Sequence, residues 1–160
     1  MIRMTVLAVG NLKESYWREA AGEYQKRLSR FCRLELKQVA EERAPESLSP
    51  AQEQQVMEKE GERLLRAVAE NAFVIALTVD GRRLSSPELA EFVQARMTEG
   101  KSHICWIIGG SLGLSPAVRR RADYCLSLSE LTMPHQLCRV FLLEQIYRVF
   151  KILAGETYHK

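Results

Sequence analysis

Apolar positions along this chain follow two alternating rhythms. Short dense runs have the length and composition of strands: "RMTVLAVG" (Arg3–Gly10), "CRLELKQVA" (Cys32–Ala40), "AFVIALTV" (Ala72–Val79), "HICWII" (His103–Ile108) and the weaker "DYCLSLS" (Asp123–Ser129). Between them lie helical stretches, Glu14–Arg30, Pro50–Glu70, Pro87–Thr98, a short one opening at Pro116, and the longest from Pro134 to about Ala154. Ser49-Pro50, Ser86-Pro87 and Ser115-Pro116 each set a capping serine before a proline at the first helical position. This alternation predicts an α/β fold with a mostly parallel sheet and flanking helices. A length of 160 residues suits one domain spanning 1–160. "VDGRRLSSP" after the third strand reads as a tight Asp-Gly turn, and "VAEERAPESLSP" as an exposed loop.

Composition adds limits. With 46% hydrophobic and 27% charged residues the chain is an ordinary globular one, and no apolar run reaches the roughly 20 residues of a membrane span. The N-terminal run lacks a small-residue cleavage site and reads as a first strand. Cys32, Cys105, Cys125 and Cys138 form no C-x-x-C pair, which favours free thiols in a reducing cytoplasm. A net charge of +3 is a weak electrostatic footprint. The basic residues of the first helix (Arg18, Lys26, Arg27, Arg30) and Arg119–Arg121 read first as solvated faces. His103-x-Cys105 and His135-x-x-Cys138 lack the further ligands of a metal site, so no metal is expected.

In open α/β sheets ligands bind beyond the carboxyl ends of the strands. The fourth strand runs into Gly109-Gly110-Ser111-Leu112-Gly113, which matches no phosphate-binding glycine motif and contains no Lys or Arg. It does satisfy G-x-S-x-G, the pattern of a hydrolase nucleophile elbow at Ser111. Against that, Ser115-Pro116 places the helix start several residues too late.

The final helix is apolar around most of its circumference, which predicts a homodimer. At about 100° per residue His135 and Arg139 share one side, while Glu144, Arg148 and Lys151 lie opposite. His135 stands at the N-terminus of this helix, beside the mouth of the preceding loop.

"IIGGSLGLS", "LSLSELTMPHQLCRVFLLEQIYRVFKI" and the terminal "GETYHK" resemble the ribosomal large-subunit methyltransferase H family, small SPOUT-class enzymes with a trefoil knot in the C-terminal half. The resemblance runs the length of the chain and is densest over Ile107–Lys160. It implies transfer of a methyl group from S-adenosylmethionine to N3 of a pseudouridine in 23S rRNA of assembled ribosomes. It also implies cofactor contacts at Leu77, Gly109 and the loop Leu128, Ser129, Glu130, Leu131, Thr132 and Met133. The N3 proton of such an acceptor must leave, and the candidates are His135 and His159 as base, with Arg139 and Arg148 steadying the imide oxygens or the phosphate. Tyr158 would stack on a base and Lys160 would meet a phosphate. A non-catalytic ribosome-binding dimer is the remaining alternative.

Overall fold

The computed structural model describes residues 1–160. Five strands, β1 (Arg3–Val9), β2 (Arg33–Val39), β3 (Phe73–Arg83), β4 (His103–Ile108) and β5 (Tyr124–Ser127), form one sheet in the order β2-β1-β4-β3-β5, and every pair is parallel. Five helices alternate with them: α1 (Ser15–Leu28), α2 (Pro50–Ala67), α3 (Ser86–Thr98), α4 (Pro116–Arg121) and α5 (His135–Leu153).

A parallel sheet needs cover on both faces, and the strands supply it by alternation. Met4, Val6 and Ala8 of β1, with Ile104, Trp106 and Ile108 of β4, face a cluster completed by α1, α3 and α5. Leu7 and Val9, with Cys105 and Ile107, face the opposite side and meet Leu64 of α2 and Val118 of α4. Hence β4, central in the sheet, is buried at all six positions. Leu142, Leu143, Ile146, Val149 and Phe150 fix α5 on the larger cluster, each burial contributing about 1.5–3 kcal/mol.

Two sequence expectations are corrected. The Asp80-Gly81 step is no hairpin-like turn: β3 continues to Arg83, and its pairing with β5 shifts register between Leu77 and Arg82. A Cβ on Gly81 would lie 2.8 Å from the Cys125 carbonyl, so the irregular segment packs backbone against backbone. The cap of α3 is Ser85 rather than Ser86. Its hydroxyl accepts from Glu88 N, and the Glu88 side chain returns to Ser85 N, a reciprocal pairing local in sequence but easily misread by one serine.

Two helical glycines test the packing in opposite directions. A Cβ on Gly61 of α2 would fall 2.3 Å from Ser115 Oγ, whereas one on Gly22 of α1 meets nothing within 4 Å. Gly61→Ala should cost about 1–3 kcal/mol in chemical denaturation, and Gly22→Ala should add about 0.5–1 kcal/mol.

Candidate active site

The carboxyl ends of β3, β4 and β5 surround a cleft made of two adjoining cavities, of about 580 and 140 Å³. The two share Leu77, Thr78, Val79, Thr132, Met133 and Cys138. Gly109 to Gly113 form one wall of the larger cavity, and Leu128, Ser129 and Leu131 line the smaller. The wall is a tight reversal: Gly113 N donates to Gly110 O at 3.1 Å. A Cβ on Gly109 would stand 2.9 Å from the Gly113 carbonyl carbon, so this position has room only for hydrogen. Behind the turn lies the buried carboxylate of Glu60, which accepts from Glu42 N at 3.1 Å. Its Oε1 would be 3.0 Å from a Cβ on Gly110. Burial raises the Glu60 pKa, with neighbouring Glu41 adding to the shift.

Seven of the eight residues expected at a cofactor line this cleft; Glu130 instead points out and pairs with Arg83 at 2.8 Å. Residues between Ser127 and Pro134 form an irregular loop whose shape is set locally, by Ser127 Oγ donating to Ser129 O and Leu131 N donating to Ser129 Oγ. Three features had no sequence signal of their own. Thr78 is buried, and its hydroxyl makes no hydrogen bond of good geometry, although it lies near enough to the Asp80 carboxylate to help lower its pKa. Arg119, one of three consecutive arginines, leaves the solvated cluster to hold Asp80 at the rim at 3.0 Å, which depresses the Asp80 pKa. Cys138 lines the cleft with its thiol pushed up to about 11 by burial, so it is a neutral wall.

The proposed chemical residues are not gathered in one place. His135, the first residue of α5, lines the larger cavity. Arg139, one turn on, is 5% exposed and turned towards β1, where Nη2 donates to Val9 O at 2.6 Å and to Gly10 O at 2.7 Å. Arg148 lies thirteen residues beyond His135, about 20 Å along the helix. It pairs with Glu144, covers the Tyr158 ring at 4.7 Å and donates to His159 Nδ1 at 3.1 Å. Tyr158 donates to Glu144 Oε1 at 3.1 Å and meets Tyr147 edge-on. The tail is therefore docked on the distal half of α5, with Lys160 exposed at its end, and not in the cleft of its own chain.

Ser111 is exposed in the turn, and no residue other than glycine has a positive φ, so the serine carries none of the strain that presents a hydrolase nucleophile. The helix after it starts at Pro116, capped by Ser115.

The profile of the family described as predicted SPOUT methyltransferases matches residues 2–159 of this chain. Proteins named ribosomal RNA large subunit methyltransferase H from Bifidobacterium adolescentis and Carboxydothermus hydrogenoformans are each 52% identical to it over 159 residues. The protein of that name from Acetivibrio thermocellus is 48% identical over the same length. In all three, the match covers 99% of this chain and 100% of the relative. The solved structure of a probable methylase family protein from Haemophilus influenzae shares the fold, with a TM-score of 0.55 at 15% identity, over 99% of this chain and 70% of that one.

An unstrained Ser111 should not react with a fluorophosphonate probe. Intact-mass spectrometry should find the chain unmodified, and labelling at Ser111 would contradict the reading of the turn as a binding wall.

Proposed function

This chain belongs to the SPOUT methyltransferase family, whose fold class is the α/β trefoil knot, and on that footing we propose the following function for it. It is a methyltransferase of ribosomal RNA. It takes its methyl group from S-adenosylmethionine, and its acceptor is N3 of a pseudouridine in the large-subunit RNA of assembled ribosomes in the cytoplasm. The observation that carries this is the cleft between the glycine turn and the loop after β5, in a chain matched end to end by named rRNA methyltransferases.

The cleft fits the cofactor chemically. The larger cavity lies within the range of about 300–1,000 Å³ usual for small-ligand sites. It has no lysine, and its one arginine is already neutralised by Asp80, which suits a ligand without phosphates. The Thr78 hydroxyl, which makes no hydrogen bond of good geometry, and the backbone of the two loops are the groups that would hold it. When bound, S-adenosylmethionine supplies an electrophilic methyl group. The chain's own task is alignment, with the acceptor nitrogen held about 3–3.5 Å from the carbon it attacks. The N3–H proton has to leave as the N–C bond forms, and His135 is the base that lines the cleft.

His159, Tyr158 and Lys160 reach a site only across a dimer. Leu131 is 80% and Val79 79% exposed at the mouth of the cleft, with Leu137 and Phe141 exposed on the adjoining stretch of α5. Covering this apolar rim with a second copy would bring a partner's tail to the cleft, about 20 Å from where the chain holds its own. The homodimer is then a condition of catalysis, with Arg148 and Glu144 as the mount that presents the tail.

Calorimetry with S-adenosylhomocysteine should show saturable binding, weakened about tenfold or more by Gly109→Val. Thr78→Val should weaken it while leaving the melting temperature unchanged or raised, because the variant removes a buried hydroxyl without a well-formed hydrogen bond. Full affinity in both variants would move the cofactor elsewhere.

Deleting Tyr158 to Lys160 should abolish methyl transfer and leave this binding intact. Mixing the truncated chain with Gly109→Val should restore about a quarter of wild-type activity, since half the dimers would be mixed and each would hold one complete site. No restoration would place the tail in the site of its own chain.

A further inference from the structure

A second cavity, of about 450 Å³, lies on the other side of the first turns of α5, between β1, β2 and α1. Nothing in the methyl-transfer reading uses it. Its floor is apolar, from Val6 and Ala8 of β1, Ala21 of α1 and Leu143 of α5. Its rim is amide and cationic, from Asn11, Arg18, Lys37 and Gln38, and no carboxylate lines it.

Arg139 forms part of its wall. Beyond the carbonyls of Val9 and Gly10, Nη1 donates to Gln38 Oε1 at 3.3 Å, but Nε is buried with no partner. No carboxylate forms an ion pair with this guanidinium, and burial lowers its pKa. A desolvated cation held only by neutral acceptors is poorly compensated, and an arriving anion improves its energy. Lys37 is loosely tied, 3.6 Å from Glu35, and stays 40% exposed, so it is available to a ligand.

An apolar slot, two amides able to pair with a base edge, and cations in a lining that contains no carboxylate form the chemistry that holds a single unstacked nucleotide. Arg139 and His135 lie one helical turn apart on α5, which puts this cavity beside the cleft. We propose that the cavity receives one nucleotide of the RNA next to the one that is methylated, its base on the Val6–Ala8 floor and its phosphate held by Arg18 and Lys37 in front of Arg139. This rests on the rRNA reading above and deepens it: the chain would recognise a splayed pair of nucleotides, one in each cavity. The small net charge is then sufficient, because the cations are concentrated where one phosphate sits.

The test is titration of the full-length protein with each nucleoside 5′-monophosphate, its nucleoside and inorganic phosphate, followed by ¹⁵N NMR of the arginine Nε–H and glutamine side-chain signals. At least one monophosphate should shift the Arg139 Nε–H and Gln38 amide signals and bind about tenfold tighter than its nucleoside. Lys37→Glu should weaken it by a similar factor, and Ala21→Leu, which fills the floor, should abolish it. Both variants should raise KM for ribosomes while S-adenosylhomocysteine affinity stays unchanged. Inorganic phosphate alone reproducing the shifts would reduce the cavity to an anion hole and overturn the proposal. So would an absence of shifts at millimolar concentration together with unchanged KM in both variants. If the wild type fails to methylate ribosomes, the parent reading has failed, while the titration still reads this cavity independently.

Discussion

The last helix must lie across the sheet, and most of what this molecule can do depends on that placement. Five large side chains of α5 are buried in the cluster it shares with α1, α3 and β4, so its position is fixed by burial along much of its length. Arg139 adds a directional constraint by binding the carbonyls of Val9 and Gly10, where β1 ends. One rigid rod thus delivers three kinds of chemistry to three separate places. His135 comes to the cleft, Arg139 to the neighbouring cavity, and the Glu144–Arg148 pair to the tail.

The glycine turn shows how a binding wall can be built from what is left out. Gly109 is held against the Gly113 backbone with no space for a side chain, and Gly110 sits tightly against a buried carboxylate. The wall is therefore backbone, and backbone polar groups are what a ligand entering from the cleft would meet. Glu60 has a second consequence. A carboxylate whose proton affinity is raised by burial sits under the turn, held there by α2.

Much of this was legible in the sequence because the signals are local. Alternating apolar runs located all five strands, and Ser-Pro steps located the starts of α2 and α4. The ends of elements were less legible. β3 extends through Asp80-Gly81 because β5, far along the chain, offers a partner across a shifted register, and no local pattern encodes that. The expectation of a cofactor at the loop after β5 came from resemblance to a family rather than from a rule of spacing, and the structure turns Glu130 out of the cleft that the loop lines. The separation of His135 from the tail was hidden for another reason: the sequence gives the face on which a residue sits but not how far a chain end folds back. Arg139 was read beside His135 on a helical wheel, yet burial against β1 sends its side chain to a different cavity. The hydroxyl of Thr78 and the reach of Arg119 are tertiary facts with no precursor in periodicity.

The strand order carries a consequence for how the molecule comes into being. Thr5 and His103 share a hydrogen bond at 2.8 Å although they lie 98 residues apart, and β1 pairs along its length with β4. The middle of the sheet therefore waits for two-thirds of the chain to leave the ribosome. The packing of α5 on α1 waits for nearly all of it. Contacts this distant require the loop-closure entropy to be met before any burial offsets it, which makes folding slow for a chain of this size. A methyltransferase of ribosomal RNA thus cannot close the middle of its own sheet until β4 has been made.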